Sequence, residues 1–255
     1  MIEANAVYVI VAREFKKFVR ERSMLVSTIA RPLVWLFLVG GGMSRLVPTG
    51  TGPSYIQFIF PGILGMTILF SSIFSSISII WDKEFGFMKE ILVAPISRFS
   101  VVVGKATSGM VLSTIQAVII LAFFPLVGLK IGVFQALGIV FVCMVLSFAI
   151  AAFGILLASF YESYESFSVI MNFIVMPMFF LSGAMYPVKM MPALLRVFTK
   201  LNPLTYGIDA LKHLIFPNET GAMGADFSLF VDVGVILAAS IVFVALAGKA
   251  FERKG

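Results

Sequence analysis

Residues 58–80 read FIFPGILGMTILFSSIFSSISII, twenty-three positions without one charged side chain. A hydrocarbon layer ~30 Å thick is crossed by ~20 helical residues. A segment of that length and apolarity has to satisfy its backbone N–H and C=O groups internally, which an α-helix does within itself. A barrel strand would instead alternate apolar and polar over ~10 residues. Five further runs have comparable character. Residues 24–43 are interrupted by Arg31-Pro32, and residues 101–127 carry Lys105 near their start. Residues 133–160 are long enough to tilt or to project beyond the bilayer. Residues 167–186 and 228–247 complete the set, the last with Asp232 one turn in. The pattern predicts an all-α polytopic membrane protein with six transmembrane helices, built as one domain over residues 1–255.

Composition agrees. Apolar residues make up 60% of the chain and charged residues 13%, against ~45–50% and ~25% in soluble domains. Mean hydropathy is +1.05. So few polar groups cannot cover a water-exposed surface, which excludes a soluble globular enzyme and a disordered chain. The single cysteine, Cys143, permits no internal disulfide or cysteine-rich metal site, and the single histidine, His213, no histidine cluster.

The net charge of +6 is a matter of topology. Thirteen Lys and Arg fall on one side of the expected spans, in the N-terminal segment to Arg31, the loop after the second span to Lys105, and the C-terminal tail; six fall on the other. The positive-inside rule puts both termini in the cytoplasm, with the protein multi-pass in the cytoplasmic membrane. No nucleic-acid partner is needed to explain the charge. The first 22 residues are polar and periodic, unlike a cleavable signal.

Two segments outside the spans carry structure. Over residues 5–22, Tyr8, Val11, Phe15, Phe18 and Val19 recur at helical spacing opposite Arg13, Lys16, Lys17 and Arg20. This predicts an amphipathic helix in the inner interface, on the lipid bilayer alone or also against a cytoplasmic partner. Residues 81–98 set Asp82, Lys83, Glu84, Lys89 and Glu90 beside an apolar face of Phe87, Met88, Ile91 and Leu92, ended by Pro95. A short helix of this kind between two spans suits docking into a groove of another protein, or resting on the interface.

The run Lys83-Glu84-Phe85-Gly86-Phe87-Met88-Lys89-Glu90-Ile91-Leu92-Val93-Ala94-Pro95-Ile96-Ser97-Arg98, followed by Val103-Gly104-Lys105, resembles the cytoplasmic signature of ABC-2 type transporter permeases. A second match is Leu201-Asn202-Pro203-Leu204-Thr205-Tyr206 before the last span. Drug-resistance and nodulation-factor exporters are the subgroups it most resembles. The resemblance implies the membrane half of an exporter, pairing with a second permease copy and with two copies of a separate ATPase subunit. It assigns residues 84–95 to a coupling helix seated in the ATPase, with Glu84, Gly86, Phe87, Glu90, Leu92, Pro95 and Arg98 as coupling residues. ATP and Mg would be held by that partner, and no cofactor or metal by this chain.

Residues 187–227 are too apolar to float in water. They read as two short helices, the second starting at Asn202-Pro203, where Asn suits the N-cap and Pro the first helical position. The pair lies flat on the outer interface or, as the resemblance implies, re-enters the bilayer, with Asn202, Pro203 and Tyr206 marking it and the last span following over 228–248. Ser72, Ser76, Asn172 and Met176 are candidates for a substrate path; close helix packing explains small residues equally well.

No titratable residue is expected near the midplane, which disfavours an ion-coupled carrier. Neither Gly104-Lys105-Ala106 nor Gly248-Lys249-Ala250 completes a phosphate-binding loop, so the chain is not expected to be an ATPase. Two alternatives stay open: an ATP-independent carrier or channel, and a lipid-modifying enzyme using the pair Asp209 and His213, four residues apart on one helical face.

Overall fold

The computed structural model describes residues 3–20, 22–44, 53–87, 96–219 and 224–253. The described residues form helices and turns, with no strand among them. In chain order the helices are α1 (Ala4–Arg20), α2 (Arg22–Val34), α3 (Tyr55–Glu84), α4 (Arg98–Leu121), α5 (Val133–Phe160), α6 (Tyr164–Phe180), α7 (Ala193–Leu201), α8 (Pro203–Ile215) and α9 (Leu229–Arg253). α2 contains Pro32 and continues through a π-helical turn, Trp35–Gly40, into Gly41–Met43.

Among the described residues four helices, α3, α4, α5 and α9, are long and apolar enough to cross a membrane. The other two expected spans form shorter apolar helices, Ile29–Met43 and Tyr164–Phe180. The seventeen residues of α6 rise ~25 Å, short of a full hydrocarbon layer. α6 stops at Phe180 rather than Tyr186 because the chain turns there: Gly183 has φ +75°, a left-handed conformation glycine adopts without a Cβ penalty.

α3 is the central element. Phe58, Phe60, Leu64, Ile68, Leu69 and Ile73 are all buried, and α4, α5 and α8 pack round it. Close approach depends on missing side chains: a Cβ on Gly62 would stand 2.5–2.8 Å from Ala184 atoms, and one on Gly109 would meet Ser75 Oγ at 2.5 Å. The outward faces are apolar too. Phe134 is 91% and Phe230 90% exposed, large hydrophobics that a bilayer, not water, would solvate.

The helices alternate between two ends. At one end the start of α3 meets the turn after α6, where Tyr55 Oη donates to Met185 O, and the turn before α5, where Gln57 Nε2 donates to Val127 O. At the other, α1 lies across the end of α3 and the start of α4. These are called the hairpin end and the α1 end.

Candidate functional site

The α1 end is built from charges that find one another across long sequence distances. Lys105 Nζ donates to Glu14 Oε1 at 2.8 Å, Asp82 Oδ2 at 2.6 Å and Ser78 Oγ at 2.9 Å. That uses all three of its N–H groups. Arg13 Nη2 adds bonds to Glu14 at 2.9 Å and Asp82 at 3.1 Å. Lys105, Glu14 and Asp82 are buried. Burial pushes the Glu14 carboxyl up, but Lys105 and Arg13 outweigh it and hold it below the ordinary value. The network pins α1 to α3 and α4, so α1 is more than an amphipathic surface helix: Glu14 and Phe18 face the protein, while Tyr8, Phe15 and Val19 stay exposed.

The expected coupling segment leaves the bundle here. Glu84 ends α3 and is exposed, as are Phe85 and Phe87. Gly86 has φ +82° and turns the chain away from the helix. Glu90, Leu92 and Pro95 lie outside the described residues. The segment's return is anchored. Ser97 Oγ accepts from Ser100 N and caps α4. Arg98 Nη1 donates to Phe251 O at 2.9 Å and Glu252 O at 3.3 Å, satisfying carbonyls in the last turn of α9. Lys83 Nζ does the same for α5, donating to Ala158 O, Ser159 O and Tyr161 O at 2.8–3.2 Å. Cations at helix C-termini satisfy orphan carbonyls and oppose the helix dipole. The elbow between α3 and α4, residues 85–97, is thus flanked by helix ends tied to α1, α5 and α9.

The candidate path residues separate into two groups. Ser72 Oγ donates to Ser113 Oγ at 2.9 Å, and Ser76 Oγ to Ala151 O at 3.4 Å. Both serines are buried between α3, α4 and α5, inside the packing rather than on an open surface. Asn172 and Met176 instead line a groove between α2, α3 and α6, with Arg31, Trp35 and Phe70. Arg31 lies over the Phe70 ring, 5.5 Å from its centroid.

At the hairpin end, Asn202 caps α8 by accepting from Leu204 N and donates through Nδ2 to Met178 O. Pro203 occupies the first turn, and Tyr206 Oη donates to Lys200 O. α8 is buried over most of its length. Its Ile208 stands against Gly65, with 2.6 Å to a Cβ placed there. Gly65 is ten residues below the start of α3, ~15 Å along its axis, so α8 sits deep within the bundle while α7 leaves Leu194, Val197, Phe198 and Leu201 exposed.

Sequence reasoning missed two things here. It read Asp82 and Lys83 as exposed charges of the segment after the second span, Lys105 as a charge at the start of the third span and Arg98 as a coupling residue, where the fold makes them a buried network and helix caps. It paired Asp209 with His213, placed Asp232 apart in the last span and did not single out Asp226, and the structure gathers all four round α8. Burial pushes the Asp226 carboxyl up, partly offset by Lys212 and Lys189.

Comparison with known proteins shows the family. The family model for the ABC-2 type transporter matches residues 5–216. The chain is 35% identical over 212 residues to ycf38 of Cyanophora paradoxa, named as a transport permease, covering 81% of this chain and 73% of that one. It is 24% identical over 251 residues to the inner membrane transport permease YadH of Escherichia coli (strain K12), covering 95% and 93%. It is 28% identical over 162 residues, 63% of this chain and 44% of the other, to the "Probable multidrug ABC transporter permease YbhR" of the same organism. The resemblance carried by residues 83–105 and 201–206 is borne out: the chain belongs to the ABC-2 type transporter family and is a transmembrane transport permease.

Proposed function

We propose that this chain is the permease subunit of an ATP-driven exporter in the cytoplasmic membrane, with both termini in the cytoplasm and a separate ATPase subunit bound at the α1 end. The observation that carries the reading is the anchoring of the elbow. A push on residues 84–98 bears on α3 and α4 directly, on α5 through Lys83, on α9 through Arg98 and on α1 through Lys105. The helix ends that flank the segment pass such a displacement to five helices. Glu84, Gly86, Phe87, Glu90, Leu92, Pro95 and Arg98 form the coupling segment. ATP and Mg are held by the ATPase, two copies of which serve two copies of this chain.

The conduit runs along the groove of α2, α3 and α6, completed by the second permease copy. Its wall is mostly apolar and aromatic, with Arg31, Tyr164, Ser168 and Asn172 as polar points, which suits a hydrophobic or amphipathic cargo such as a drug, a lipid or a lipid-linked glycan. The name of the relative YbhR supports that class. α7 and α8 form a re-entrant hairpin at the outer mouth.

The test is co-purification of tagged chain with a candidate ABC ATPase subunit from the same organism, reading ATP hydrolysis of the complex. Glu90→Lys, or deletion of residues 87–92, is expected to abolish both pull-down and transport while membrane insertion persists. Normal pull-down by the deletion variant refutes the role of this segment, and uphill transport by the chain alone favours the ATP-independent carrier.

A further inference from the structure

The hairpin end holds a set of donors for which packing gives no reason. Asp209 and His213 project from one face of α8 towards Asp232, in the first turn of α9, and one ligand atom from each lies within 4.8 Å of the other two. Asp209 is held in place: its carboxylate accepts from the backbone N–H groups of Asp226 and Phe227 at 2.8–3.0 Å. Asp232 is not. Its side chain is wholly buried, aimed at His213 Nε2 across 3.8 Å, and neither carboxylate oxygen has a hydrogen-bond partner. A buried carboxylate left that way costs several kcal/mol unless a cation or proton compensates it. The neighbouring amines compensate this charge only in part: Lys189 Nζ is 3.6 Å from Asp226, and buried Lys212, whose Nζ lies over the Phe58 ring 5.0 Å from its centroid, is one cation shared through space among Asp209, Asp226 and Asp232 with no hydrogen bond to Asp232.

We propose that Asp209, His213 and Asp232 bind a divalent transition-metal ion that clamps α8 to α9. Two carboxylates and an imidazole are a donor set for Zn²⁺ and similar ions. Donor atoms bonded at ~2.0–2.2 Å round one ion stand roughly 3–3.5 Å apart, so small side-chain rotations close the site. The Phe227 carbonyl, 2.7 Å from His213 Nε2, is placed to be a fourth oxygen ligand. Without metal that contact requires Nε2 to donate; with metal the ring proton moves to Nδ1 and Nε2 takes the ion. The backbone bonds to Asp209 are the outer-shell support that ligating carboxylates need, and the partly exposed His213 gives the ion a way in.

The clamp is tested on full-length chain in detergent, stripped with chelator, titrated with Zn²⁺ and assayed for bound zinc after gel filtration. One ion per chain is expected. His213→Gln and Asp232→Asn are each expected to weaken binding at least ~10-fold, and cobalt added in place of zinc is expected to give a visible ligand-field band that His213→Gln abolishes. His213→Gln changes a partly exposed side chain and decides the matter if Asp232→Asn fails to fold. Parent protein that retains no zinc, or both variants binding as the parent does, overturns the proposal. Stabilisation of the parent by low pH in place of metal also overturns it, since a proton would then be the compensating cation.

Discussion

Replacing Lys105 by methionine should unlock α1. The side chain keeps its length but loses three hydrogen bonds, to Glu14, Asp82 and Ser78. Two carboxylates, each 8% exposed, then face each other with Arg13 beside them. Breaking a buried ion pair by removing one partner costs ~3–5 kcal/mol, because the remaining charge stays buried. Arg13 already bonds both acids and its side chain is 48% exposed, free to shift towards them, so the lower end, ~3 kcal/mol, is expected. At ~2–4 °C per kcal/mol for a chain near this size, the melting temperature in detergent should fall by ~6–12 °C. Adding Asp82→Asn removes half of the stranded charge, so the double variant should be more stable than the sum of the single losses, by ~1–3 kcal/mol. A Lys105→Met protein melting within 2 °C of the parent (about the effect of ~1 kcal/mol), or strict additivity in the cycle, refutes the claim that this network holds α1 in place.

Three further outcomes follow from named contacts. Glu14 titrates below its ordinary value of 4.5 in the folded protein, so its contribution is complete above that value and is lost as pH falls through the lower, folded one; limited proteolysis of α1 should accelerate only in that acid range and not between pH 6 and 8. Gly62→Ala drives a methyl into Ala184 backbone atoms at 2.5–2.8 Å and should cost ~1–3 kcal/mol by overpacking, whereas Gly234→Ala, with nothing within 4 Å, should be neutral or stabilise α9 by up to ~1 kcal/mol through helix propensity; thermal melts compare the two. Arg98→Ala removes two bonds to the end of α9 and should cost ~1–3 kcal/mol, read as faster amide exchange over residues 247–253.

Much of the bundle was legible because one period and one length scale govern it. Residues 58–80 fall inside α3, residues 133–160 coincide with α5, and Asn202-Pro203 starts α8 as capping chemistry requires. The fifth run was read too far: hydropathy continues through 181–186, but Gly183 turns the backbone there. What hydropathy does not carry is partnership. Glu14 and Lys105 are 91 positions apart and Arg98 and Phe251 are 153 apart, so nothing local distinguishes a buried pair or a helix cap from a solvated loop charge. The serine stripe shows the converse. Ser72 and Ser76 read from the sequence as packing or path residues, and the structure buries both between α3, α4 and α5, in hydrogen bonds to α4 and α5.

In the proposed mechanism, force enters at the elbow between α3 and α4 from a cytoplasmic ATPase. A single cysteine at position 87, exposed in the structure, introduced into a Cys143→Ser background, tests it with a membrane-impermeant maleimide. No labelling is expected in intact cells, labelling in inverted membrane vesicles, and protection there once the ATPase subunit is co-expressed. Labelling of position 87 from outside intact cells would contradict it.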